Sequence, residues 1–237
     1  MHQILRQGAS QFNLTLSEAQ LKAFELYSRE LITWNQKVNL TRIVEPEEIA
    51  VKHFLDSLSL AQALSDFPPD ISLIDVGTGA GFPGLPLKIA WPDIRLTLLE
   101  STGKKTAFLQ HVVDALNLNG VTVLTARSEK AGRQPEHREQ YDVAVARAVS
   151  ELRVLAEYTL PLVKVGGLVI AQKGQEPVAE VEQAAGALET LGGKISRIMP
   201  VSVPGLAADR HLVIIKKSNP TPPSYPRRPG LPSRKPL

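Results

Sequence analysis

The 237-residue chain has no cysteine. That excludes disulfides and any metal site with thiolate ligands. It also lacks a run of about 18 apolar residues, so no segment reads as a membrane span. Met1 to Ser10 is polar and has no apolar stretch of the signal-peptide kind, which points to a cytoplasmic protein. Acid is missing from the last twenty residues. Residues 218–237 hold Arg227, Arg228, Arg234 and Lys235 and no Asp or Glu. The chain carries +3 overall and this segment +4, so residues 1–217 carry −1. The basic excess therefore sits at one end, where it can meet phosphates or act as a solubilising extension.

Three regions follow from the patterning: a helical extension at 1–68, an alternating α/β region at 69–217, and a tail at 218–237. In the first, Thr15-x-x-Glu18 and Ser17-x-x-Gln20 are overlapping capping-box candidates. Leu21, Phe24, Tyr27, Leu31, Trp34 and Val38 then recur at helical spacing. A second helix is expected from Pro46 to about Leu64, ended by Asp66-Phe-Pro-Pro-Asp70. In the middle region, strands are predicted at 72–76, 95–100, 121–126, 141–146 and 168–173. Helices are predicted at 84–90, 104–117, 152–163 and 177–191. Gly166-Gly167 is read as the end of the 152–163 helix. Strands at about 194–203 and 211–217 are expected to pair as an antiparallel hairpin. Such alternation specifies a mostly parallel sheet covered on both faces. The seven prolines of the tail argue against a helix there and leave either disorder or an extended strap.

The most informative stretch is Asp75-Val-Gly77-Thr-Gly79-Ala-Gly81-Phe82-Pro-Gly84, which leaves a strand and opens a helix. That junction is where an α/β sheet binds a nucleotide-like ligand. A dinucleotide fingerprint counted from Gly77 fails, because position 82 is Phe. Counted from Gly79 it matches, but that register begins three residues beyond the strand. The register starting at the strand end, Gly77-x-Gly79-x-Gly81 preceded by Asp75, is the form usual for S-adenosylmethionine. A tight turn with no ligand is the plain alternative. Glu100 ends the second strand and can accept from both hydroxyls of a ribose. Arg127-Ser128-Glu129 follows the third strand, where Glu129 or a neighbouring backbone N–H can reach an adenine edge; a solvated loop acid reads equally well.

With those residues the sequence resembles the small-subunit (16S) ribosomal RNA guanine-N7 methyltransferase G family, also called glucose-inhibited division protein B. The resemblance spans nearly the whole chain. It rests on Asn39-Leu-Thr41, His53-Phe-Leu-Asp56-Ser-Leu58, the loop from Asp75 to Gly84 with Pro86-Leu87, and Leu99-Glu100-Ser101 with Lys104-Lys105. Val145-Ala-Arg147-Ala148 and the tail from Tyr225 to Leu237 complete it. It implies a class I methyltransferase fold, Rossmann-like with a seven-stranded sheet, in a bacterial enzyme whose partner is 16S rRNA, a small subunit or its assembly intermediate. Neither a metal nor a membrane is implied. Cofactor contacts implied at matching positions are Asp75, Gly77, Gly79, Gly81, Phe82, Glu100, Ser101, Thr102, Ser128, Glu129 and Arg147.

No nucleophile–base constellation is evident, and guanine N7 needs none, because it carries an in-plane lone pair and no proton. Positioning is then the main source of rate. Asn39, His53 and Asp56 are the guanine-positioning candidates. His53 and Asp56 lie three apart on one helix face, and their other reading is a pair that buttresses the glycine loop. Trp34 and Trp91 can stack on a base or fill the core. Lys173, Arg210, His211, Arg227, Arg228, Arg234 and Lys235 are the RNA-contact candidates. Loss of 218–237 is expected to weaken RNA binding and spare cofactor binding. Two rival readings are an NAD(P)-dependent oxidoreductase, which leaves the basic tail unexplained, and a ribosome- or RNA-binding protein with a vestigial loop.

Overall fold

The computed structural model describes residues 1–174 and 177–237. The chain begins with α1 (His2–Ser10) and α2 (Glu18–Asn35). Of the two capping boxes, Ser17 with Gln20 is the one formed, each closing on the other's backbone. Leu21, Phe24, Tyr27 and Leu31 of α2 are fully buried, each contributing about 1.5–3 kcal/mol. Trp34 packs edgewise on Phe108 at 5.7 Å and Trp91 lies against the same core, so both tryptophans are packing residues.

The second expected helix is one path in four pieces: α3 (Pro46–Ile49), a π-helical turn (Ala50–Leu55), α4 (Asp56–Leu58) and α5 (Ala61–Leu64). The π turn inserts where His53 and Asp56 project towards the sheet, as such bulges often do at functional sites.

The sheet contains β1 (Ser72–Val76), β2 (Arg95–Glu100), β3 (Val121–Thr125), β4 (Tyr141–Arg147), β5 (Val163–Lys173), β6 (Gly193–Val201) and β7 (Arg210–Lys217), in the order β3-β2-β1-β4-β5-β7-β6. Among the described residues only β7 runs against its neighbours, pairing antiparallel with both β5 and β6. The expected hairpin forms, and β7 wedges between its partner and the parallel strands.

Connecting helices are α6 (Gly84–Ala90), α7 (Gly103–Ala115), α8 (Ser128–Ala131), α9 (Leu152–Thr159), α10 (Val178–Gln183) and α11 (Ala185–Leu191). Two boundaries differ from the sequence reading. α9 gives way to a 3-10 turn at Leu160–Leu162 and then directly to β5, which starts at Val163. Gly166-Gly167 sit inside β5, where the register against β4 jumps from Tyr141↔Val163 to Val143↔Leu168. Glycines that read as a helix stop are here a bulge. The 177–191 helix is broken at Ala184.

One face of the sheet shares a single apolar cluster with the N-terminal helices, from Leu5 through Phe54 to Ile214. α9 and α11 cover the other face. The tail is an ordered strap. Arg138 donates to the carbonyls of Thr221 and Tyr225, both at 2.7 Å, and Arg133 to those of Pro226 at 2.7 Å and Ser224 at 2.9 Å. Despite its prolines it ends in a four-residue helix, α12 (Leu231–Arg234), which Pro232 enters in the first turn, where a missing N–H is harmless.

Candidate active site

The carboxyl ends of the parallel strands gather the site. β1 and β4 are neighbours whose following chains leave in opposite directions, the switch point at which open α/β sheets bind ligands. The loop after β1 is held from below. Asp75 Oδ2 accepts from Thr78 Oγ1 at 2.6 Å and from the Gly84 amide at 2.8 Å. Tyr27 Oη donates to the Ala80 carbonyl at 2.5 Å. Gly77 and Gly81 have φ of +69° and +100°. A Cβ at Gly81 would lie 2.5 Å from both Leu85 Cδ1 and Tyr27 Oη, so only glycine fits there.

Beside this loop lies a cavity of about 180 Å³, lined by Gly77, Glu100, Ser101, Arg127, Ser128, Glu129, Val149 and Tyr158, among others. Glu100 is buried and accepts one backbone bond on each oxygen, from Gly79 at 3.2 Å and Thr102 at 2.8 Å. Oε1 also accepts from Ser101 Oγ at 3.4 Å, so the free acceptor capacity lies mainly on Oε2. Glu129, which lines the same cavity, is buried at the start of α8 and accepts from the Gly230 amide at 2.8 Å. A Cβ at Gly77 would come within 3.0 Å of Val149 Cγ2 and narrow the cavity. The cavity thus presents two buried carboxylates, Glu100 and Glu129, beside the Gly77 backbone.

Asp75, expected as a direct contact, is fully buried beneath the loop and outside the cavity lining, and its Oδ1 has no hydrogen-bond partner among the described residues. Burial raises its carboxyl to about 6, against the lowering effect of Thr78 and Gly84.

A second cluster adjoins the loop. Asp56 Oδ2 pairs with Arg147 Nη1 at 2.9 Å, and Oδ1 with Arg210 Nε at 2.7 Å and Gln172 Nε2 at 3.0 Å. Both oxygens of Asp56 are thus committed, which favours the buttressing reading over direct acceptance from a base. Arg147 lies over the Phe82 ring at 5.0 Å, and His53 stacks on the same ring at 4.5 Å. Arg147 has only donors, so the 3.5 Å contact from its Nη2 makes His53 Nδ1 the acceptor. Nε2–H then donates to Thr41 Oγ1 at 2.8 Å. Asn39 is exposed on the loop that carries Thr41. Burial, with Arg147 beside it, lowers the His53 imidazole to about 4.

These two groups act on stability in opposite directions. His53 has a folded value below its ordinary 6.5, so its contribution is complete above pH 6.5 and is lost as pH falls towards 4. Asp75 has a folded value above its ordinary 3.8, so its contribution is complete below that value and is lost as pH rises through 6. The melting temperature of His53→Gln is expected to fall less than that of the parent between pH 6.5 and 4. Parallel curves for the two proteins would contradict the assignment.

The candidate RNA-contact cations divide. Lys173 is held by Glu180 at 2.6 Å, Arg210 by Asp56, and Arg227 by Glu157 at 2.6 Å. His211 Nδ1 lies 3.3 Å from the Gly174 carbonyl. Arg228, Arg234 and Lys235 are exposed and have no ion pair among the described residues. Sequence reasoning missed Val149 and Tyr158 of the cavity wall, and Gln172, Arg133, Arg138 and Glu157. Only Glu157 left a trace: an acid inside the apolar run Leu152–Leu162.

The strand order with a single reversed strand, the glycine-rich turn after β1 and the acid ending β2 define an S-adenosylmethionine-dependent methyltransferase of the Rossmann-like class. Solved structures agree on the fold. "TrmN from Thermus thermophilus" superposes with a TM-score of 0.52 at 17% identity, over 71% of this chain and 53% of that one. "MtNAS in complex with MTA and tNA" superposes at 0.56 and 15% identity, over 84% and 71%. The profile of one family, described as rRNA small subunit methyltransferase G, matches residues 20–213. The chain belongs to that family. Relatives named "Ribosomal RNA small subunit methyltransferase G" include those of Roseiflexus sp. (strain RS-1), 52% identical over 99% of both chains, and Acetivibrio thermocellus, 47% identical over 100% of this chain and 97% of that one. Among the described residues, no helix is long and apolar enough to cross a membrane.

Proposed function

We propose that this protein transfers the methyl group of S-adenosylmethionine to N7 of a guanine in 16S ribosomal RNA, in the cytoplasm where ribosomes are made. The observation that carries this reading is a cavity beside Gly77 lined by both Glu100 and Glu129, in a chain of the rRNA small subunit methyltransferase G family. When bound, the cofactor supplies an electrophilic methyl carbon on a sulfonium.

The residues of the chain bind and orient. Glu100 grips the ribose hydroxyls, and Ser101, Thr102 and the Gly77–Gly81 backbone shape that side of the slot. Glu129, held with Ser128 at the start of α8, faces the adenine. Asp75 holds the loop rather than the ligand. Arg147, fixed by Asp56 and Phe82 at the end of β4, would hold the cofactor carboxylate. His53, neutral at working pH, keeps Arg147 and Thr41 in register. Thr41 Oγ1 accepts from His53 and from the Ile43 amide at 3.1 Å, which leaves its own O–H to donate. Thr41 and the exposed Asn39 are then the polar groups available to a guanine edge. No group needs to take a proton, because N7 has none to lose. Catalysis is alignment of the two reactants, worth about 7–11 kcal/mol. Residues 69–217 hold the cofactor, 1–68 face the base, and Arg228, Arg234 and Lys235 in 218–237 meet phosphates.

The test uses S-adenosylmethionine with a deuterated methyl group, offered with protein-free 16S RNA, with mature small subunits and with subunits stripped of late-binding proteins. Nucleoside mass analysis is expected to find labelled 7-methylguanosine, and the best of the three substrates identifies the form acted on. Label at another nucleoside would refute the N7 assignment. Thermal stabilisation by NAD and not by S-adenosylhomocysteine would favour an oxidoreductase. Glu100→Ala is expected to bind S-adenosylhomocysteine at least roughly 30-fold more weakly, the loss of two charge-assisted hydrogen bonds. Calorimetry showing a change under threefold would remove Glu100 from the site.

A further inference from the structure

The chain's last residues lie against the cofactor slot. Arg227 grips Glu157 through its backbone amide at 2.7 Å and its Nε at 2.9 Å. Three residues on, the Gly230 amide donates to Glu129 Oε1. Gly230 caps α12, and α12 packs on α9, the helix that presents Tyr158 to the slot. Ser128 Oγ is bonded to the carbonyl of the same Tyr158. Two of the slot's walls, Glu129 and Tyr158, are therefore braced from outside by the strap. Leu237 packs onto the apolar cluster beneath α9, so the brace is anchored on both sides of Gly230.

We infer that the C-terminal strap is a working part of the adenine subsite: the Gly230 amide fixes the Glu129 carboxylate so that its remaining acceptor capacity faces the adenine amino group. The inference rests on the S-adenosylmethionine reading above. It reverses the expectation that the tail serves RNA alone. A carboxylate has two equivalent oxygens and a freely turning terminal bond. One bond from a backbone donor removes that freedom and orients the other acceptor sites. Gly230 and the strap are thus positioning elements, acting through Glu129.

The discriminating probe is the ligand's base. S-inosylhomocysteine has a carbonyl in place of the 6-amino group and a proton on N1, so at position 6 it offers an acceptor where Glu129 needs a donor. Calorimetry on the full chain is expected to show S-adenosylhomocysteine bound at least roughly 30-fold more tightly than S-inosylhomocysteine. A chain ending at Pro229 keeps the Arg227–Glu157 pair and loses Gly230 onwards. It is expected to lose about tenfold in affinity for the adenosyl ligand and almost nothing for the inosyl ligand, so discrimination collapses. A general loosening of the fold would weaken both ligands alike, and that result overturns the proposal.

Gly230→Ala in the full chain covers the case in which the shortened chain does not fold. Gly230 has φ +81° and open space around its Cα, so alanine strains the turn without a clash. It is expected to reduce discrimination about threefold. Unchanged discrimination in Gly230→Ala, or in a folded chain ending at Pro229, overturns the proposal and leaves the cofactor reading intact. A full chain that binds neither ligand refutes the cofactor reading itself. A full chain that binds both equally well removes Glu129 from the base and the strap's role with it.

Discussion

Arg227→Gln is expected to lower the unfolding free energy by roughly 3–5 kcal/mol, the cost of leaving a buried carboxylate without its cation. For a chain of this size that is a fall in melting temperature on the order of 10 °C. Glu157 is fully buried on α9, and its side chain is 1% exposed. Arg227 meets it with a backbone amide and a two-pronged guanidinium, the geometry in which arginine binds a carboxylate best. Burying two charges is costly, so the pair itself adds little net stability, and the damage comes from breaking it. The double variant Glu157→Gln, Arg227→Gln is therefore expected to recover most of the loss. Urea denaturation of the four proteins measures this as a coupling energy. A single-variant loss below about 1 kcal/mol would mean that water reaches Glu157 and that the strap is only loosely attached.

Asp56→Asn is expected to slow methyl transfer roughly 100-fold at saturating substrates, the effect of displacing a positioned group by about 1 Å. Asp56 is the common partner of Arg147 and Arg210, and its side chain is 4% exposed. Asparagine keeps the size and can still accept from Gln172, but it cannot neutralise two guanidinium groups. They would repel each other across the site, and Arg147 would leave the face of Phe82. Glu100 and Glu129 stand apart from this cluster, so the thermal shift produced by S-adenosylhomocysteine is expected to shrink, as Arg147 leaves the cofactor carboxylate, but not to vanish. A variant within threefold of the parent rate would show that Arg147 is held well enough by Phe82 and His53 alone.

The strands and the cofactor turn were legible because their signals are local. Ser72–Val76 followed by spaced glycines is a pattern of neighbours, and the acid at the end of β2 is fixed by strand length. The start of β5 was misread because Gly166-Gly167 have the same local meaning in a helix stop and in a bulge; only pairing with β4 decides between them. The strap was legible as proline-rich and basic, and its destination was not. Arg133, Arg138 and Glu157 receive it from 70 to 93 residues away, and no periodicity links residues so far apart. The same distance explains why Arg227 read as a phosphate ligand. A cation's partner is set by the tertiary fold, and here an acid buried in an apolar helix had the stronger claim.

Arg227 follows Glu157 by 70 residues, and that separation bears on how the protein is made. Translation delivers α9 well before the cation that Glu157 requires, so a nascent chain carries an uncompensated acid in its interior until Arg227 emerges. Interrupted synthesis, or clipping between Thr221 and Arg227, leaves a product with a defect at its centre rather than a shortened but sound enzyme, and quality-control proteases would find it readily.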